Sequence, residues 1–172
     1  MNIVLFGFMG TGKSAISKKL ADVLHQDVCE MDELIEKQEQ MPISTIFKEK
    51  GESHFRQLER DLVKKLSKED DKIISTGGGV ILNEKNIIDF KKNGILISLM
   101  ASPEAIYQRV KDETHRPLLK TKDPLKTIQE LLDYRNPFYE KAPYHIDTSN
   151  LSINEVVDKI LKIIEDNKIK NS

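Results

Sequence analysis

An apolar run from Ile3 to Phe6 passes directly into Gly7-Phe8-Met9-Gly10-Thr11-Gly12-Lys13-Ser14, and from there into the helical spacing of Ile16, Leu20, Val23 and Leu24. The octapeptide fits G-x-x-x-x-G-K-[ST] at every fixed position and stands between a strand and a helix, where that pattern has physical meaning. Glycines at 7, 10 and 12 let the backbone wrap a phosphate closely. The N–H groups of Gly10, Thr11, Gly12, Lys13, Ser14 and Ala15 then point inward beside the positive end of the helix dipole. In this reading Lys13 reaches the β- and γ-phosphates of ATP, and the Ser14 hydroxyl completes the coordination of Mg²⁺ between them. The alternative, a glycine-rich turn without a ligand, requires four fixed positions to coincide by chance in the correct setting.

The rest of the chain agrees with such a loop. Short apolar runs at Ile3–Phe6, Val28–Met31, Ile73–Ser75, Ile95–Met100 and His145–Asp147 alternate with longer amphipathic stretches, which predicts an α/β fold with a parallel sheet. The first and fourth runs show no polar alternation, as expected of strands covered on both faces by helices. Ser152 and Glu155 have capping-box spacing ahead of Ile153, Val156, Val157, Ile160, Leu161 and Ile164. Ser102-Pro103 opens another helix, and Asn93-Gly94 closes the one before it. Two stretches interrupt the alternation: a helical segment from Pro42 to Leu66 divided at Gly51, and a charge-dense loop from Lys111 to Asp123, a natural lid.

Composition narrows the partners. With 172 residues the chain fits one domain, and its 27 basic and 28 acidic side chains leave no field of one sign to attract nucleic acid or a membrane surface. A lone cysteine, Cys29, forms no internal disulfide, and no apolar stretch is long enough to span a bilayer. The expectation is a cytosolic, monomeric protein with small-molecule partners.

A phosphate loop does not identify the acceptor, because kinases, GTPases and motor ATPases share it. There is no Asn/Thr-Lys-x-Asp tetrapeptide for guanine, and a small-metabolite kinase is the simpler fit. Glu30-Met31-Asp32 lies at the end of the second apolar run, where strand alternation sets both carboxylates on one face. Asp32 is the better candidate base for an acceptor hydroxyl, and either carboxylate could hold Mg²⁺ through water. A helix N-cap is the competing role for Asp32. Thr76-Gly77-Gly78-Gly79 follows the third run, where ligands gather in open α/β sheets, although a strained connection would read the same. Arg56 and Arg135 could clasp an acceptor carboxylate if both face the cleft, and Arg116 could close over the phosphates. Each is otherwise an ordinary surface charge. The four histidines lack metal-ligand spacing.

Gly7–Ser14, Asp32, Gly51-Glu52-x-x-Phe55-Arg56, Thr76–Gly79, Arg116-Pro-Leu-Leu and Arg135-Asn-Pro-Phe-Tyr, in this order, resemble the shikimate kinase family over nearly the whole chain. The resemblance implies a fold similar to the nucleoside monophosphate kinases, a three-layer α/β/α arrangement around a five-stranded parallel sheet. An acceptor-binding region at about 32–66 and a lid at about 111–123 would be inserted on it. It implies transfer of the ATP γ-phosphoryl group to the 3-hydroxyl of shikimate, with Mg²⁺ required. By the same resemblance Asp32 contacts the ring hydroxyl, Arg56 and Arg135 clasp the carboxylate, and Gly77, Gly78 and Gly79 line the pocket. Lys13 and Arg116 serve the phosphates, and Arg109 stacks on adenine. The chain departs from the family's usual Asp-x-Asp in carrying Glu30-x-Asp32. The rival expectations are a gluconate or nucleoside monophosphate kinase and a nucleotide-binding switch.

Overall fold

The computed structural model describes residues 1–113 and 120–170. Strands β1 (Asn2–Gly7), β2 (Asp27–Glu30), β3 (Lys72–Ser75), β4 (Gly94–Met100) and β5 (Tyr144–Asp147) form a parallel sheet in the order β2-β3-β1-β4-β5. Every pairing is parallel, so each connection must cross from one end of the sheet to the other. The connections are α1 (Lys13–Leu24), α2 (Met31–Glu39), α3 (Ile43–Leu66), α4 (Glu84–Lys91), α5 (Pro103–Val110) and α6 (Pro124–Tyr139), and α7 (Ile153–Lys170) follows β5.

Alternation along β1 divides the interior into two layers. Val4 and Phe6 pack with residues of α2 to α6, including Met31, Val63, Phe90, Ile106 and Ile128. Ile3 and Leu5 pack on the opposite face with Ile16 and Leu20 of α1 and Val156, Val157 and Ile160 of α7. Burial on both faces explains the unbroken apolar run that β1 shows in sequence. Ile35, Ile46 and Phe55 form a third, smaller cluster that ties α2 to α3 beside the sheet.

Local signals in the sequence are realised as hydrogen bonds. Ser102 Oγ accepts from Ala105 N at 3.1 Å at the start of α5. Ahead of α7, Ser152 N donates to Glu155 Oε2 at 2.7 Å and Glu155 N donates to Ser152 Oγ at 3.3 Å. The interruption at Gly51 is a kink inside α3, with φ 83° and ψ 166°, a region closed to residues with a Cβ.

One expectation fails. Glu30 and Asp32 do not share a strand face, because β2 ends at Glu30 and Met31 begins α2. Met31 is fully buried, and the chain turns into a helix as that side chain enters the core. Asp32 therefore sits in the first turn of α2, and the N-cap position belongs to Glu30, whose side chain makes no capping bond. Arg116 and the rest of residues 114–119 of the expected lid lie outside the described residues.

Candidate active site at the carboxyl end of the sheet

The carboxyl ends of β1, β2 and β3 carry the phosphate loop, Asp32 and the triple glycine, and α3 and α6 bring Arg56 and Arg135 to the same place. On the phosphate side, Gly12 caps α1 without a side-chain bond and the first turn holds no acidic residue. The orphan N–H groups of that turn are thus available to an external anion. Lys13 Nζ arches over the loop and donates to Gly7 O at 2.7 Å and Phe8 O at 3.0 Å. Thr11 Oγ1 closes the loop from inside by donating to Phe8 O at 2.8 Å, while Ser14 and Ala15 are exposed.

Arg109, on α5, is tied to this loop. Its Nη1 donates to Gly10 O and to Thr148 Oγ1, both at 3.0 Å, and its Nη2 donates to Thr148 O. The guanidinium thereby joins the phosphate loop to the segment after β5. It also borders an open depression of about 550 Å³ lined by Ser102, Ala105, Gln108, Ser149 and Asn150 among others.

Beyond the phosphate loop stand the three glycines, each of which meets a different charged group. A Cβ on Gly77 would lie 2.6 Å from Asp32 Oδ1 and 3.1 Å from Glu59 Oε1. One on Gly78 would lie 3.2 Å from Arg135 Nη1, and one on Gly79 only 2.6 Å from Arg56 Cζ. At Gly79 a Cβ would overlap the Arg56 guanidinium where it stands, so a larger residue would have to displace that arginine. Arg56 and Arg135, 79 residues apart in sequence, thus stand against consecutive peptides of one loop. Arg135 also lies over the Phe8 ring, 5.5 Å from its centroid, and so touches the phosphate loop.

Glu59 and Tyr139 stand behind the two arginines, and sequence reasoning assigned neither a role. Glu59 Oε2 accepts from Arg56 Nη1 at 2.6 Å, and the residue is 2% exposed. Tyr139 donates its hydroxyl proton to Gly78 O at 2.8 Å. A signal for both existed: Glu59 follows Arg56 by three residues and Tyr139 follows Arg135 by four, which on helices stacks each beside its arginine.

Electrostatics set these groups apart from surface residues. Solvent reaches Asp32 through the open cleft, yet the protein around its carboxyl pushes the pKa above the usual value, against the pull of Lys13 and Arg56. Burial likewise raises the Glu59 carboxyl, and the Asp32 charge adds to the effect while Arg56 opposes it. Burial pushes the Tyr139 phenol up to about 12, so it stays protonated at neutral pH.

Fit to a divalent cation can be judged from the oxygens present. Glu30 Oε1 is buried and has no hydrogen-bond partner among the described residues, and Ser14 presents an exposed hydroxyl at the start of α1. No group of three or more His, Cys, Asp or Glu ligands occurs among the described residues. Such oxygens suit a magnesium ion carried mainly by nucleotide phosphates, with the protein supplying few direct ligands.

Comparison with known proteins identifies the family. A family model described as shikimate kinase matches residues 9–165. The shikimate kinase of Caldanaerobacter subterraneus subsp. tengcongensis is 46% identical over 161 residues, covering 94% of each chain. That of Thermodesulfovibrio yellowstonii is 46% identical over 164 residues, covering 95% of each. Among solved structures, shikimate kinase from Acinetobacter baumannii in complex with shikimate superposes with a TM-score of 0.90 at 33% identity, covering 97% of this chain and 94% of that one. A gluconokinase from Sinorhizobium meliloti shares the fold alone, with a TM-score of 0.64 at 14% identity. With the phosphate loop, Asp32, the triple glycine and both arginines gathered at one sheet end and relatives matching across nearly its full length, the chain belongs to the shikimate kinase family.

Proposed function

We propose that this protein transfers the γ-phosphoryl group of ATP to the 3-hydroxyl of shikimate, giving shikimate 3-phosphate and ADP. The observation that carries the assignment is the convergence of Asp32, Arg135 and Arg56 on Gly77, Gly78 and Gly79. A carboxylated polyol needs that combination: cationic forks for its carboxylate and an anionic oxygen for its reacting hydroxyl.

The roles follow from the chemistry of phosphoryl transfer, which asks a protein mainly for positioning and for stabilisation of charge. Gly10 to Ala15 cradle the phosphates with backbone N–H groups, and Lys13 leaves its two carbonyl partners to meet the transferring group. Asp32 orients the acceptor hydroxyl and takes its proton, a task helped by a pKa raised toward the working pH. Arg56 and Arg135 bind the shikimate carboxylate. Arg109 borders the adenine, and Arg116, outside the described residues, closes over the phosphates from a lid at about 111–123. Residues 32–66 form the acceptor-binding region of a single domain that works as a monomer. Ser14 and, through water, Glu30 or Asp32 would hold Mg²⁺, which would supply positive charge to offset that of the phosphates.

ADP release from Mg-ATP, with shikimate, gluconate, AMP, CMP or no acceptor added, tests the assignment. Release with shikimate alone is expected. Release with gluconate or a nucleotide in its place would overturn it.

A further inference from the structure

We infer that Tyr139 is a positioning residue for acceptor binding, fixing the Gly78–Gly79 peptide and the Arg135 guanidinium relative to one another. The inference rests on the acceptor assignment above and adds to it a residue that contacts no substrate.

Tyr139 ends α6 one turn after Arg135, which places both side chains on the helix face turned toward the triple glycine. The ring is 1% exposed, and the hydroxyl spans the remaining gap to Gly78 O at 2.8 Å. The Arg135 guanidinium lies on the same side of Gly78: a Cβ there would be 3.2 Å from Arg135 Nη1 and 3.8 Å from the Tyr139 hydroxyl, which donates to the loop. The residue is itself anchored from β4: Ser98 Oγ, fully buried, donates to Tyr139 O at 2.7 Å. A chain of contacts therefore runs from the sheet through Tyr139 to both halves of the acceptor pocket.

The consequence is directional. Glycine peptides rotate at little cost, and a run of three has no side chain to hold its carbonyls. The Gly78–Gly79 peptide is trans, so binding Gly78 O on Tyr139 aims the Gly79 N–H the opposite way. Packed beside that hydroxyl against Gly78, the long Arg135 side chain keeps less of the rotamer freedom that would otherwise be lost only when the acceptor binds. The phenol has no other donor duty among the described residues, and its apolar ring surroundings would accept phenylalanine equally well.

Steady-state kinetics of Tyr139→Phe, with its melting temperature, test the inference. The KM for shikimate is expected to rise about three- to tenfold, the value of one hydrogen bond, while kcat and the KM for ATP change by less than about twofold. An unchanged KM for shikimate, or an equal rise in both KM values with a lowered melting temperature, would overturn the positioning role. The substitution repeated in an Arg135→Met background should cost a smaller factor than in the wild type, because one of the two tethered groups is gone. Equal factors in the two backgrounds would also overturn it. Wild-type enzyme that releases no ADP with shikimate sinks the acceptor assignment instead, a result seen before any variant is compared.

Discussion

Arg56 and Glu59, one helical turn apart on α3, meet at 2.6 Å between Nη1 and Oε2, and the glutamate is the buried partner, with its side chain 3% exposed against 31% for the arginine. The carboxylate thus holds one edge of a guanidinium that packs against Gly79. Glu59→Ala should let Arg56 swing toward solvent and Glu52, its other partner at 3.3 Å. The expected result is a loss of shikimate affinity of about 1.5–3 kcal/mol, the scale of a charge-assisted hydrogen bond, read by calorimetric titration. Arg56→Ala should lose a similar amount, and a double variant should lose little more than either single one. Full additivity would mean that the two residues act separately.

Gly79→Ala and Gly51→Ala separate a steric requirement from a backbone one. At Gly79 a Cβ overlaps the Arg56 guanidinium, so alanine should raise the KM for shikimate and leave that for ATP alone. At Gly51 nothing lies within 4 Å of a Cβ, but φ is +83°. Alanine there should cost about 1–3 kcal/mol of stability by denaturant unfolding, with no overlap at the site.

Lys13→Ala removes the cation above the phosphate loop. If Lys13 stabilises charge on the moving phosphoryl group, kcat should fall by about 10²–10³-fold, the scale for a preorganised donor at a developing charge. ADP-release assays read this directly, and near-normal turnover would remove the role.

Asp32 should couple activity and stability to pH in opposite senses. Its folded-state pKa is raised, mainly because the protein around the carboxyl displaces part of its hydration, so the protonated form is favoured by folding and ionisation costs stability. That contribution is complete below the unfolded value of 3.8 and is lost as pH rises through the folded pKa. Asp32→Asn, permanently neutral, should therefore gain melting temperature over the wild type at neutral pH, and the gain should vanish as pH falls below the unfolded value. Turnover should go the other way: kcat/KM of the wild type falls on the acid side, and the variant is nearly inactive at every pH. A variant less stable than the wild type at pH 7 would contradict the raised pKa.

The phosphate loop was legible because its chemistry is local. Strand, glycines, lysine and helix are contiguous from Ile3 to Leu24, and the N–H groups that cradle phosphate belong to one stretch of backbone. The caps at Ser102 and Ser152 were legible for the same reason, since a side chain and an N–H three residues on need no tertiary partner. The parallel sheet followed from apolar runs separated by amphipathic stretches, although the strand order did not.

The proposed acceptor pocket was decided by the fold. Nothing between Arg56 and Arg135 in the sequence reveals that two consecutive glycines separate them in space, because that proximity is set by how α3 and α6 pack on the same face of the sheet. Asp32 was assigned to the wrong element: alternation along Glu30-Met31-Asp32 suggests a strand, whereas α2 begins at the buried Met31 and sets the aspartate beside Gly77. Glu59 and Tyr139 acquire their places only when helices set them beside the arginines and the core removes their water, a condition that one-dimensional spacing cannot express.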